Sequence, residues 1–448
     1  MLLCLLSVFV FYLSFPNQFY LFGFWPCIWV FAVPLLFALQ GQPLKIRLKI
    51  GLFFGLGAYG LMAQGVYPIS PTVFFIFVLG MSTQAWMFAI FCRSTGKILI
   101  DIFYYPLLWS LSEVLRNLLL GGFSFYISHS HAFCPQMLKL YSTWGCSGMS
   151  GIIFMVNTLI YLGGVHRRRR VYFFFAAGII FLTVCSAGLL KKDMRMQAST
   201  RLRVAVIQAN ISPWEKIDAD LFDRNANIHL RLTEQSFREA NPDLVIWPET
   251  AFPDDLLQSV QWRPIIAQEA IHRGTDLLIG IAPNIDGKDY NSAVLIGSDG
   301  KIRGLYHKQA LVPFFEYAPL AAWGIGDGRG YYFSAGKKTV VMSLSRKSVR
   351  LGVLICTESA HPFMAYQLRR RGAQILVEMS NDGWFRTTPA YMLHAQAAVM
   401  RAVENRIWVI RAANTGYSFV VDPDGNIHED GNLKLGREGF GIFDIMVP

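Results

Sequence analysis

In the stretch Leu351-Gly352-Val353-Leu354-Ile355-Cys356-Thr357-Glu358-Ser359 an apolar run of strand character ends in a cysteine, where a strand hands over to a turn and then a helix. Seven cysteines occur in the chain, and Cys4, Cys27, Cys92, Cys134, Cys146 and Cys185 all fall in its hydrophobic first part. Cys356 stands alone in the polar second part, so no intrachain disulfide is open to it there. A free cysteine is most often a small buried apolar residue, and the cysteine by itself favours that reading. A nucleophile for acyl transfer needs company: a base for its proton, a cation or amide donors for the oxyanion, and an orienting partner.

Working outward, 448 residues with 53% hydrophobic and 16% charged side chains and a mean hydropathy of +0.35 exclude an ordinary soluble enzyme. Up to about residue 190 long apolar runs alternate with short basic or Gly/Pro-containing links. Beyond about residue 200 charges, turn signals and alternating patterns become frequent. The chain therefore divides into a transmembrane domain, 1–190, of about seven helices and a globular domain, 200–446, long enough for its own core. The expected spans are Met1 to Phe15, Phe19 to Leu39, Ile50 to Val66, Thr72 to Cys92, Ile98 to Leu120, Met149 to Val165 and Val171 to Leu190. The first, third and sixth are short against the roughly 20 apolar residues a bilayer requires. With no basic residue ahead of it and no small-residue cleavage site after it, the first run reads as a retained helix.

Lys45, Arg47 and Lys49 follow the second run, Arg93 and Lys97 the fourth, and Arg167 to Arg170 the sixth. These alternate links belong in the cytoplasm, and seven spans then carry the globular domain to the far side. Lys191, Lys192 and Arg195 argue weakly for the opposite orientation. The net charge of +11 sits largely in these links, where basic residues meet lipid headgroups, and calls for no nucleic acid. Glu113 and Arg116, three apart on one helix face, are placed to pair. The segment 121–144, with Phe123, Phe125, Tyr126, His129 and His131, is read as an outer loop at a lipid-facing entrance. No carboxylate or thiolate cluster joins its two histidines, so no metal is expected.

In the second part strands are expected at 201–209, 243–247, 276–281, 292–296, 301–306, 339–344, 349–355, 374–379, 408–412, 418–421 and 440–445, and helices at 221–240, 265–272, 362–371 and 389–405. Strands with intervening helices indicate a layered α/β domain. No G-x-G-x-x-G, P-loop or paired C-x-x-C occurs. Partners for Cys356 stand at two other strand ends: Glu249, in Val245-Ile246-Trp247-Pro248-Glu249-Thr250, and Lys308, in the run Tyr306-His307-Lys308-Gln309 that continues to Pro313-Phe314-Phe315-Glu316-Tyr317.

In this order the three blocks resemble the nitrilase superfamily, whose Glu-Lys-Cys triad lies at strand ends of an αββα sandwich. The resemblance covers about residues 200–446 and extends to Ser380-Asn381-Asp382-Gly383-Trp384-Phe385, to the block from Arg401 to Arg406, and to the block from Arg411 to Gly416. With a multi-span domain in front, and Gly122-Phe123-Ser124-Phe125 after Glu113 and Arg116, the chain is similar to the membrane-anchored branch that N-acylates lipoproteins. The resemblance implies Glu249 as general base, Lys308 as the oxyanion-stabilising cation and Cys356 as nucleophile. It further implies that Glu316 orients Lys308 or assists proton traffic, that Glu358 and Trp384 shape the site and acyl channel, and that Trp214 matches another important tryptophan. The implied reaction moves an acyl chain from a membrane phospholipid, through a cysteine thioester, to the α-amino group of a diacylglyceryl-cysteine at a lipoprotein N-terminus. It requires no metal or organic cofactor and no nucleic acid. The implied protein is a monomer in the cell inner membrane with its catalytic domain on the periplasmic side. A membrane-tethered amidase or nitrilase that passes the acyl group to water, and a non-catalytic membrane scaffold, are the alternatives. The sequence departs from the family at Thr357, where an aromatic residue is usual, at Phe315, where glycine is common, and in having no apolar span after the final strand.

Overall fold

The computed structural model describes residues 1–187, 200–216, 218–317, 332–385, 389–430 and 433–448. Lys191, Lys192 and Arg195, with the end of the last expected span, lie outside them. The chain forms two compact units, Met1–Lys192 with Thr387–Glu404, and Asp193–Arg386 with Asn405–Pro448.

The first unit is helical: α1 (Leu2–Leu13), α2 (Ala32–Leu39), α3 (Leu44–Met62), α4 (Pro71–Phe91), α5 (Ile98–Leu119), α6 (Pro135–Leu138), α7 (Tyr141–Val165) and α8 (Arg170–Ala187), together with the helix Ala390–Asn405 up to Glu404. Among the described residues each expected apolar run overlaps helix. Among the described residues four segments are long and apolar enough to cross a membrane: α4, α5, α7 and Arg167–Ala187. Leu2–Leu13 and Trp25–Leu39 are apolar but shorter, while α3 carries Lys45, Arg47 and Lys49 in its first turns. The second expected run is not one helix, because a 3-10 turn, Trp25–Trp29, precedes α2. Asn157 of α7 satisfies the polar groups this break leaves, its amide donating to the Ile28 carbonyl at 3.0 Å and accepting the Ala32 N–H at 2.8 Å. Close packing joins α3 to α4: a Cβ at Gly51 would stand 2.6 Å from the Ala89 methyl, and one at Gly55 2.7 Å from Ser82 Cβ. Small residues at such contacts let backbones approach in lipid.

Glu113 and Arg116 do not form the expected pair among the described contacts. Arg116 donates to the Tyr59 hydroxyl, to Gln84, to Asn117 and to the Phe125 carbonyl, and Glu113 accepts the Ile127 N–H at 2.9 Å. Both side chains are buried. Instead of pairing along α5, each fixes the segment that follows it, which is less a loop than expected: a 3-10 turn at Ile127–His131 and α6 occupy it. His129 and His131 are buried there, with Tyr141 hydrogen-bonded to His131 and Trp29 stacked on it. Helix α7 breaks at Gly145 (φ 61°, ψ 177°), and the carboxylate of Glu404 caps the restart by accepting the Cys146 N–H at 3.0 Å.

The second unit contains β1 (Thr200–Gln208), α9 (Pro213–Lys216), α10 (Phe222–Glu239), β2 (Leu244–Ile246), α11 (Trp262–Arg273), β3 (Asp276–Ile281), β4 (Asn284–Ile285), β5 (Lys288–Asp289), β6 (Ser292–Ile296), β7 (Ile302–His307), β8 (Val341–Ser343), β9 (Arg350–Ile355), α12 (Pro362–Arg370), β10 (Ile375–Ser380), β11 (Trp408–Ala413), β12 (Phe419–Val421), β13 (Ile427–His428) and β14 (Gly439–Val447). Two six-stranded sheets form, in the orders β14-β1-β2-β3-β6-β7 and β13-β12-β11-β10-β9-β8. Alternation along β1 assigns the layers. Leu202, Val204 and Val206 join Leu351, Val353 and Ile355 of β9 in the core between the sheets, whereas Ala205 and Ile207 face Ala226 and Leu232 of α10 and Ile266 and Ala270 of α11. The nitrilase-like sandwich expected from the sequence is thus present.

Strands β1, β2 and β3 are parallel, and β7, reached through two antiparallel steps, runs with them. The carboxyl ends of β2 and β7 therefore lie at one end of the first sheet, and ligands of α/β sheets bind outside such ends.

Candidate active site

Three chain segments leave strands at this end, and each carries one of the expected residues. After β2 the chain makes a tight turn in which Thr250 has φ 45° and Glu249 is buried, with 6% exposed. The turn lies directly on β3: a Cβ at Gly280 would stand 2.3 Å from the Pro248 carbonyl oxygen and 2.9 Å from Glu249 Cα. Only a residue without a side chain fits beneath it. Lys308 follows β7 and is 1% exposed. Its N–H donates to the Asn291 carbonyl, and its own carbonyl accepts the Gly336 N–H. Cys356 follows β9, partly buried, with φ 55°. A left-handed conformation at a non-glycine residue is uncommon and marks strain held by its surroundings; here it turns the cysteine out of the strand into the 3-10 turn Cys356–Ala360.

The lysine ammonium lies between two carboxylates, 2.9 Å from Glu316 Oε1 and 3.4 Å from Glu249 Oε1. Glu316 also accepts the Val312 N–H at 2.8 Å, closing a loop whose left-handed residue is Phe314 (φ 65°), one position before the expected departure at Phe315. Glu358 is buried and accepts from both sides of the site. Ile355 N–H of the cysteine strand, Gln309 and Ala310 N–H of the lysine loop, and the Tyr306 hydroxyl all donate to it. One carboxylate thus fastens the lysine and cysteine segments together. Trp214 and Trp384 meet edge-to-face at 5.5 Å between ring centres, 68% and 37% exposed. They form an aromatic patch that, among the described residues, makes no hydrogen bond to the carboxylate–lysine cluster.

Several contributors have no motif of their own. Asn291, just before β6, donates to Glu249 at 2.7 Å and to Glu316 at 2.9 Å; only the polar break in Tyr290-Asn291-Ser292 ahead of an apolar strand hinted at it. Lys216, two residues after Trp214, is buried and donates to the Glu249 carbonyl at 2.8 Å. Arg411, also buried, pairs with Glu378 and, at 2.6 Å, with Asp382, which anchors the turn bearing Trp384.

The electrostatics follow from burial opposed by pairing. Burial favours the neutral Lys308, but Glu316 and Glu249 outweigh it and hold the ammonium well above its ordinary range. Burial likewise raises Glu249, and Lys308, the Asn291 amide and Lys216 outweigh it, leaving the carboxyl below its ordinary value. Burial and the Glu249 charge push the Cys356 thiol up, against Lys308. The resting pair is therefore a thiol beside a carboxylate, and a nucleophilic sulfur here would have to lose its proton as it attacks. Such an arrangement suits covalent acyl transfer assisted by a general base and a buried cation.

The chain belongs to the carbon–nitrogen hydrolase family, whose profile it matches over residues 203–445. Residues 7–159 match the profile of the apolipoprotein N-acyltransferase N-terminal domain, and the two matches together make it a membrane enzyme of the apolipoprotein N-acyltransferase type. It is 27% identical to an apolipoprotein N-acyltransferase of Geobacter metallireducens, over 95% of this chain and 86% of that protein. It is 28% identical to one of Pseudomonas syringae pv. tomato, over 91% and 84%. A solved nitrilase-superfamily structure from Saccharomyces cerevisiae superposes with a TM-score of 0.44 at 20% identity, covering 56% of this chain and 92% of that one.

Proposed function

We propose that the chain N-acylates lipoproteins in two half-reactions on Cys356, with a transmembrane domain at 1–190 and a catalytic domain at 200–446. Glu249 takes the thiol proton as sulfur attacks an ester carbonyl of a membrane phospholipid, and Lys308 with backbone N–H groups holds the oxyanion. Collapse breaks the ester C–O bond, and the proton on Glu249 passes to the departing lysophospholipid oxygen. The α-amino group of a diacylglyceryl-cysteine then attacks the thioester. A C–N bond forms, the C–S bond breaks, and the amine proton returns through Glu249 to the sulfur. Glu316 orients Lys308, and Glu358 positions both loops. Trp214 and Trp384 offer an apolar surface beside the site for acyl chains. Both substrates are lipid-anchored, so membrane attachment of the enzyme raises the effective concentration of each. We read the enzyme as a monomer of the inner membrane with its catalytic domain on the outer, periplasmic face, from the basic links after the second, fourth and sixth runs.

The observation that carries this reading is the buried Glu249–Lys308–Glu316 cluster beside the strained Cys356. The full chain in detergent, given labelled phospholipid and a diacylglyceryl peptide, is expected to place label on the peptide amine and to yield an acyl-thioester on Cys356 by mass. Release of free fatty acid alone would instead establish a membrane-tethered hydrolase, and full cellular function of Cys356→Ala would point to a non-catalytic scaffold.

A further inference from the structure

Asn291 is 2% exposed and stands where three segments of the site meet. Its backbone carbonyl accepts the Lys308 N–H at 2.8 Å, and its side-chain amide donates to Glu249 Oε1 at 2.7 Å and to Glu316 Oε1 at 2.9 Å. Those two bonds fix which way the amide faces, since a carboxylate oxygen only accepts. Its own oxygen is then left buried without a hydrogen-bond partner among the described residues. A buried acceptor without a donor is costly, and an asparagine serving packing alone would be oriented to avoid it. The orientation is dictated by the two carboxylates.

Two carboxylates share one ammonium here, and Lys308 leans toward Glu316, at 2.9 Å against 3.4 Å for Glu249. Left to Coulomb forces, two like charges flanking one cation drive the less well paired of them to bind a proton. We infer that Asn291 is a positioning residue of the acyl-transfer reaction: a neutral cross-brace that keeps Glu249 ionised beside a lysine already engaged by Glu316. A neutral donor does this without the tight ion pair that would make Glu249 a poor proton acceptor. Other titratable groups bearing on Glu249 are Lys308, Lys216 beneath its carbonyl, the Cys356 thiol and Arg411; Lys308 also spans Glu249 and Glu316, as a cation, and Asn291 is the uncharged donor that does so.

The inference rests on the roles proposed above for Glu249 and Cys356. Its test is the pH profile of thioester formation on Cys356 in the full-length enzyme. In Asn291→Ala, Glu249 loses a donor, its pKa rises, and the acid limb is expected to move up by about one unit, with the rate recovering toward wild type on the alkaline side. Asn291→Asp adds a third carboxylate and is expected to shift the limb further. Asn291→Ser keeps one donor, falls between, and carries the test if the alanine variant does not purify folded. An unchanged limb with a rate lowered equally at every pH would show a structural role only and overturn the inference. Wild-type enzyme that forms no thioester would remove the proposed function itself, which separates the two failures.

Discussion

At Cys356 the backbone and the electrostatics act together. The left-handed turn brings the sulfur out of β9, and burial with the neighbouring Glu249 keeps it protonated at rest. In the role proposed for it, Lys308 matters most when negative charge develops on the substrate oxygen. Lys308→Met is expected to slow thioester formation by about 10²–10³-fold per folded molecule, measured by quench-flow with labelled phospholipid, and to lower the melting temperature, because Glu249 and Glu316 are left buried without their cation. Glu358 adds a contribution that depends on pH. Its burial pushes the carboxyl up to about 7, so between its ordinary value near 4.5 and 7 the folded state binds the proton more readily than the unfolded chain. The sign follows: this group costs stability as pH rises through that window, by roughly 3 kcal/mol at completion. Thermal melts from pH 5 to 8 are expected to show that slope in the wild type and lose it in Glu358→Gln. The same variant offers one acceptor oxygen to donors from three backbone amides and Tyr306, and activity is expected to fall at least about tenfold.

Among elements, the placement of Glu249, the proposed base, depends on two contacts made away from its carboxylate. Gly280 of β3 lies under the Glu249 turn, and any Cβ there collides with backbone. Gly280→Ala is expected to cost about 1–3 kcal/mol of stability through overpacking and to reduce thioester formation disproportionately. A loss of stability without that extra loss of rate would separate the turn from catalysis. Helix α9 supplies the second contact through Lys216, whose burial lowers its pKa to about 7 against the pull of Glu249. Lys216→Met is expected to lower kcat about tenfold while leaving the melting temperature within a few degrees, since a desolvated ammonium contributes little net stability. The sequence made the longer strands and helices of this unit legible to within three residues, because the apolar alternation of β1, β9 and β10 and the helical spacing of α10 are local signals, whereas the four-residue α9 was not expected. The short strands β4, β5 and β13, of two residues each, left no pattern to read.

At the scale of the whole molecule, the charge of the links predicts orientation. An engineered cysteine at Asp424, in the exposed turn before β13, in a background where the native cysteines outside the site are replaced, is expected to react with a membrane-impermeant thiol reagent in intact spheroplasts. Protection there, with labelling only after lysis, would put the domain in the cytoplasm. By itself the sequence determined the division into membrane and globular parts, the layered α/β class and the three strand ends bearing Glu249, Lys308 and Cys356, because hydropathy, periodicity and strand-to-turn transitions are encoded within a few neighbouring residues. It did not determine that Arg116 would leave Glu113 for Tyr59, Gln84 and Phe125, or that Phe19 to Leu39 would break and be repaired by Asn157. Nor could it show that Glu358 would bind the lysine loop to the cysteine strand, or that Asn291 would bridge two carboxylates. Only the tertiary structure decided these, since each is a hydrogen bond whose partner is chosen by which buried groups arrive together, and that proximity exists only once the chain has packed.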